Sequence, residues 1–247
     1  VGASSVYHIW KAIKDLGHTA LCREETAEHI DLVLDVDGVP PTARIDGVPY
    51  FYWDCDSFMH DYTEGYDKTF IGGAPEDLER YPEGTVFLPH AFDPELHRPL
   101  NVGAEYDIVM AGSMSSIYEE RKRLTQLLRD NFSVLEIEPG YGEGYNVALN
   151  MGKLIFNRSL SDKNIPMRFF DGMAVGALLH NDTGNLDAFA TPFDHSIPYT
   201  TDENLITNAR KYLEHDDLRD ELATNAQKHA LEHHTYKHRV QTILSYL

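Results

Sequence analysis

Basic residues are scarce in this chain. Its 247 residues hold 21 Lys and Arg against 40 Asp and Glu, a formal net charge of −19. That balance disfavours a nucleic-acid partner, because phosphate binding needs a surplus of cations across the contact face. A local basic pocket for one small phosphate ligand remains allowed. Acid excess is also common in proteins of salty habitats. Cysteine is nearly absent: Cys22 and Cys55 cannot build a disulfide framework, which fits a reducing, cytoplasmic compartment. No apolar run approaches the roughly 18 residues of a membrane helix, and the opening VGASSVYHIW lacks the basic and apolar regions of a signal peptide. What is present, 42% hydrophobic residues with 11% aromatics, is too apolar for a disordered chain. At roughly 150 residues per domain, the length suits one large domain or two small ones.

Short apolar runs alternate with helical stretches along the chain. Val6, Ile9, Trp10 and Ile13 recur at helical spacing in 5–16, and Gly17 stops that helix. Strands are expected at 19–22, 31–36, 48–53, 68–72 and 86–88, with a helix at 75–80 before the last of these. Pro89, Pro94 and Pro99 make 89–102 a connection between domains. A second series follows: strand 106–111, loop 112–115, helix 117–131, strand 134–137, helix 145–152, strand 154–157, helix 167–176 and strand 177–180. Helices at 202–214, 218–233 and 236–247 close the chain. The β-α-β alternation predicts mostly parallel sheets covered on both faces. Two such Rossmann-like halves place a cleft at the carboxyl ends of both sheets. The expected domains are 1–98, whose first strand is missing, and 99–247, with a last helix able to cross back.

Four segments of the second half, DIVMAGS at 107–113, YNVALNMGKLIFN at 145–157, MRFFDGMAVGALL at 167–179 and HHTYKHRVQTIL at 233–244, resemble the spore-maturation (CgeB-like) glycosyltransferases. LPHAFDPELHRP at 88–99 resembles the segment those proteins place before their second domain. The likeness covers 88–244 well and the first 85 residues loosely. It implies a GT-B fold, α/β, with two Rossmann-like domains whose parallel sheets face a central cleft. It also implies a metal-independent hexosyltransferase with no cofactor beyond its donor, a UDP- or GDP-linked sugar. The acceptor hydroxyl would belong to a saccharide, lipid-linked glycan, protein or modified nucleobase, the last disfavoured by charge.

Arg168 and Asp171 stand at i,i+3 near the amino end of one helix. A carboxylate there can accept two hydrogen bonds from a ribose diol, while the guanidinium and the unpaired first-turn amides attract a diphosphate. The family usually has Glu at the position of Asp171, and the resemblance gives it the ribose. Related retaining enzymes carry a second acid eight positions earlier. Here that place is Lys163, beside Asp162 in a polar loop, so a retaining outcome is not implied. A leaving β-phosphate needs a cation when no metal serves. Lys153, which brackets a strand with Asn157, and Arg158, which follows it, are candidates, though each also reads as a surface charge. Gly112 and Ser113 end a strand where small residues let backbone amides approach a phosphate, or simply turn the chain. The loop 181–185 follows another strand and is placed to close over sugar or base.

In the first half, Gly2 and Ser4 precede a helix whose amino end suits an anion, with Ser4 as its cap. His8, one turn in, reads as a half-buried helix residue. Asp54 and Asp56 form a DxD after a strand, and Asp35–Asp37 form another by chance. Neither is expected to hold metal. A carboxylate at 54 or 56 is placed to deprotonate an acceptor hydroxyl, with His90 and His60 as competitors. His229, His233, His234 and His238 superficially suit Zn²⁺, but no Cys or carboxylate trio completes a site, and a solvated helix is expected. The charges at 120–123 likewise read as an exposed face. Two rival functions share this architecture: a sugar-nucleotide epimerase and a non-catalytic nucleotide-sugar-binding protein.

Overall fold

The computed structural model describes residues 5–21, 25, 27–38, 43–56, 64–138, 142–160, 164–181 and 186–247. The chain divides into two compact units, residues 3–90 with 236–247 and residues 91–235.

The first unit opens with α1 (Ser5–Asp15), which buries His8, Ile9 and Ala12 on one face. It ends as the sequence dictates. Gly17 takes a positive φ of 87°, and the Gly17 and His18 amides donate back to the carbonyls of Lys14 and Ile13, satisfying the last turn. The expected strand at 19–22 does not form over Thr19–Leu21, and Cys22 lies outside the described residues. The Ala20 carbonyl instead accepts the Trp10 indole N–H at 3.1 Å, tying the segment back onto α1.

Four parallel strands follow in spatial order: β1 (Val33–Val36), β2 (Tyr50–Asp54), β3 (Lys68–Ile71) and β4 (Val86–Phe87). Every residue of β2 is buried, the near-continuous apolar pattern of a strand covered on both faces. The expected helix at 75–80 is a 3₁₀ segment. One later helix docks here: α7 (Tyr236–Leu244) packs on α1, with Tyr236 stacked on His8 at 5.2 Å and tilted against Trp53 at 6.4 Å. Buried Arg239 of α7 donates to the carbonyls of Pro89 and His90.

The second unit contains β5 (Tyr106–Ala111), α2 (Glu119–Arg129), β6 (Val134–Ile137), α3 (Glu143–Asn150), β7 (Gly152–Asn157), α4 (Met167–Val175), β8 (Ala177–Asn181), β9 (Ile197–Tyr199), α5 (Asp202–Glu214) and α6 (Asp216–His233). Its sheet is parallel, ordered β6-β5-β7-β8-β9. Ile108, Met110, Leu128, Phe156 and Tyr212 fill its core. The Pro-rich stretch is strapped rather than loose. The Arg98 and Leu100 amides donate to the side chains of Asn146 and Asn150 on α3 at 3.2 and 2.7 Å.

In this order the chain runs from β5 out to β6 and then returns to β7 on the other side of β5. The reversal leaves a crevice outside the carboxyl ends of β5 and β7, where such sheets take their ligands.

Candidate functional site

Gly112 follows directly on β5 with a φ of 148°. A Cβ there would lie 2.6 Å from Arg168 Nη2 and 3.2 Å from Arg121 Nη1. Glycine is therefore required twice over, by its backbone and by the two guanidinium groups against it. Arg168 enters from the first turn of α4 and donates through Nη1 to Asn157 Oδ1 at 3.2 Å, at the end of β7. Arg121 enters from α2 and ties the two strand ends together. Its Nη1 donates to the Ser113 carbonyl at 2.9 Å, and its Nε and Nη2 donate to the Arg158 carbonyl at 3.1 and 2.8 Å.

Arg121 is only 4% exposed, against the exposed face expected for residues 120–123. Burial, reinforced by the charge of Arg168, brings its guanidinium down to about 10. Its position was readable: Arg121, Leu124, Thr125 and Leu128 share the i, i+3, i+4, i+7 stripe that α2 buries. Charge alone suggested solvent, and periodicity pointed inward.

Two amide donors flank the arginines. Asn157 and Asn181 are buried at the ends of adjacent strands β7 and β8. Asn181 accepts the Ser159 amide at 2.9 Å, yet Nδ2 of both asparagines meets no acceptor among the described residues. A buried donor left without an acceptor costs about 1–3 kcal/mol, so such groups collect where a ligand supplies the acceptor.

Asp171 is fully buried, 0% exposed. Its Oδ1 lies 3.2 Å from His97 Nδ1, and its Oδ2 accepts the Tyr145 hydroxyl at 3.4 Å. The carboxylate that the resemblance gives to the ribose is thus enclosed within the unit, with His97 and Tyr145 as polar neighbours. Lys153 also stands apart. It is the second residue of β7, at the amino edge, 3.9 Å from Asp107. At about 3.3 Å per residue it is roughly 13 Å along the strand from Asn157. Gly2, Ser4, His60, Asp162 and Lys163 lie outside the described residues, as does 182–185.

In the first unit, Asp54 is buried at the end of β2 and accepts the Tyr81 hydroxyl at 2.6 Å. It is a core carboxylate, closed to an acceptor. Asp56, with a side chain 52% exposed, points the other way and lies 3.8 Å from His90 Nε2. Adjacent Asp37 accepts the Cys55 amide at 2.6 Å, and burial raises its carboxyl above the usual range. The DxD therefore splits between interior and surface. Among the described residues no group of three or more His, Cys, Asp and Glu is placed to hold a metal ion.

Of the terminal histidines, His233 is exposed as expected, while His229 and His234 turn inward. His234 is buried, and Nε2 of both His229 and His234 lies 2.9 Å from the Phe189 carbonyl. Burial pulls the His229 imidazole down. Among the described residues no helix is long and apolar enough to cross a membrane.

Parallel α/β sheets with a crevice lined by guanidinium and amide groups define the class: this is the GT-B glycosyltransferase fold. The chain belongs to the glycosyl transferase-like family, whose model matches residues 95–245, more than half its length. It is an enzyme, a glycosyltransferase. The glycosyltransferase AviGT4, involved in avilamycin A biosynthesis, is similar at 13% identity over 99% of this chain and 89% of that one, with a TM-score of 0.68. A glycosyltransferase from Rickettsia africae ESF-5 matches at 10% identity over 98% and 93%, with a TM-score of 0.63. Anabaena HepE, solved in complex with UDP and glucose, matches at 12% identity over 81% and 71%, with a TM-score of 0.62. At such identities the structures speak for the fold. The comparison with curated proteins found no match.

Proposed function

We propose that the protein transfers a glycosyl group from a nucleoside-diphosphate sugar to an acceptor hydroxyl, with the diphosphate seated at the carboxyl ends of β5 and β7. The observation that carries this is the convergence of Arg121 and Arg168 on Gly112. Two guanidinium groups crowd a backbone that no side chain obstructs, and the positive field between them is what a diphosphate relieves. Arg158 and Ser113 sit on the same two loops, and the Asn157 and Asn181 amides offer further donors.

In the transfer, the bond from the anomeric carbon to the β-phosphate oxygen breaks and a bond to the acceptor oxygen forms. The charge left on the departing diphosphate is met by the arginines, so the reaction proceeds without a metal. Asp56, with His90 beside it, is the group we assign to the acceptor's proton. Asp54 is too enclosed for that role. The UDP bound to the Anabaena protein supports a uridine donor, with GDP as the other base to be tried. The segments HHTYKHR and RFFDGMA support placement in the CgeB-like subgroup. A single free, buried cysteine among the described residues suits a reducing cytoplasm.

The test is transfer of labelled sugar from UDP- and GDP-linked donors to a panel of saccharide, lipid-linked and peptide acceptors, with and without EDTA. Product formation that survives the chelator is expected. Conversion of the donor to an isomer in the absence of any acceptor would favour an epimerase instead. Binding with neither transfer nor hydrolysis would favour a non-catalytic protein.

A further inference from the structure

Three buried side chains at the carboxyl ends of β7 and β8 hold polar atoms in reserve. Asn157 ends β7 and Asn181 ends β8, on strands paired side by side with Asn157 opposite His180. Ser159 lies two residues beyond Asn157, and its amide donates to Asn181 Oδ1 at 2.9 Å. Asn157, Ser159 and Asn181 are 1%, 3% and 5% exposed. Nδ2 of both asparagines and Oγ of Ser159 have no hydrogen-bond partner among the described residues.

Internal bonds fix which way each amide faces. Asn157 Oδ1 is taken by Arg168 Nη1 at 3.2 Å, and Asn181 Oδ1 by the Ser159 amide. Neither side chain can flip without setting one N–H against another. Both therefore offer donors to a ligand, and the Ser159 hydroxyl adds a third. None of the three is a carboxylate, and the Arg168 cation adjoins them. This set favours an oxygen that carries no proton of its own. A diol gives protons as well as taking them, and it would find only Ser159 Oγ to receive one. Enclosure keeps water from competing, so an entering acceptor gains a stronger bond.

Position narrows the ligand further. The diphosphate is proposed at the ends of β5 and β7, and the trio continues one strand beyond, roughly 5 Å across the sheet. A sugar hung from the β-phosphate extends over that distance.

We infer that Asn157, Ser159 and Asn181 form a subsite for a proton-free oxygen group on the transferred sugar, a carboxylate or an acetamido carbonyl, which selects such sugars over glucose. The inference rests on the proposed donor site and names the class of sugar that site takes.

The experiment titrates UDP, GDP and their conjugates with glucose, glucuronate and N-acetylglucosamine calorimetrically into wild type, Asn181→Asp and Ser159→Ala, each variant's fold being checked by its melting curve. Asn181→Asp keeps an oxygen for the Ser159 amide and replaces the ligand-facing donor by an acceptor. Wild type should bind the glucuronate or the N-acetylglucosamine conjugate about tenfold more tightly than the glucose conjugate, the worth of one strong hydrogen bond. A preference for glucuronate identifies a carboxylate, and one for N-acetylglucosamine an acetamido carbonyl. The preference should vanish in Asn181→Asp and shrink about threefold in Ser159→Ala. Should Asn181→Asp fail to fold, Ser159→Ala decides alone. Equal affinity of wild type for the three conjugates would overturn the inference, as would a preference that survives undiminished in the folded variants. Wild type that binds free nucleotide yet ignores the sugar substituent sinks the subsite alone. Wild type that binds no nucleotide sinks the donor-site reading and the subsite with it.

Discussion

Arg121 shows how a single side chain can carry both stability and function. It satisfies the carbonyls of Ser113 and Arg158, so it stitches together the two loops that form the crevice, and its charge stands at the proposed diphosphate site. Arg121→Met removes the donors that Arg121 gives to those half-buried carbonyls. It should cost about 1–3 kcal/mol in a denaturant titration and also weaken nucleoside-diphosphate binding. Gly112→Ala should weaken the same binding and also lower the denaturation midpoint, because the new Cβ meets the Arg168 guanidinium and the backbone holds a φ of 148° that an L side chain strains. A different consequence follows at Asp37, whose carboxyl is raised above its ordinary value of 3.8, chiefly by burial. The folded chain then holds this proton to a higher pH than the unfolded chain does. Stability from this group is present below pH 4 and is lost as pH climbs through the raised value. Asp37→Asn keeps an acceptor for the Cys55 amide and suits the positive φ of 49° at this position. Its melting temperature relative to wild type should therefore rise between pH 3 and pH 7. A difference that stays flat with pH would contradict this account.

At the scale of elements, long periodic segments were legible and short irregular ones were not. The helix at Asp202–Glu214 follows from its Thr201 cap, whose hydroxyl accepts the Asn204 amide, and from its apolar stripe. Strand β9 escaped notice because it has three residues with Pro198 in the middle, a residue confined to edge strands, which is where β9 sits. The inward-turned histidines escaped for another reason. Helical spacing shows which residues share a face, while the Phe189 carbonyl that receives His229 and His234 comes from a segment distant in sequence. The same limit applied to Asp171: its i,i+3 relation to Arg168 was visible, but His97 and Tyr145 reach it only through the tertiary fold. Gly152 marks an element-level constraint. A Cβ there would sit 2.5 Å from Val109 Cγ2 and 2.9 Å from the Val109 amide nitrogen, where β7 meets β5. Gly152→Ala should cost about 1–3 kcal/mol of unfolding free energy, measured by urea titration, because the strands that frame the crevice must move apart.

Over the whole molecule, a net charge of −19 sets self-repulsion against a local cluster of cations. Salt screens both, with opposite results. The melting temperature should rise from about 10 mM to 1 M KCl as carboxylate repulsion fades, while nucleoside-diphosphate affinity falls over the same range. Acidity and phosphate binding are compatible because the arginines act within a few ångströms, where the distant surface charge is weakened by solvent. The central claim is that Arg168 holds a diphosphate at the end of β5. Its most direct measurement is calorimetric titration of UDP and GDP into wild type and Arg168→Ala, with the fold of the variant checked by its melting curve. We predict saturable binding of at least one nucleotide by wild type and a loss of tenfold or more in the folded variant; equal affinity in the two proteins would contradict the account.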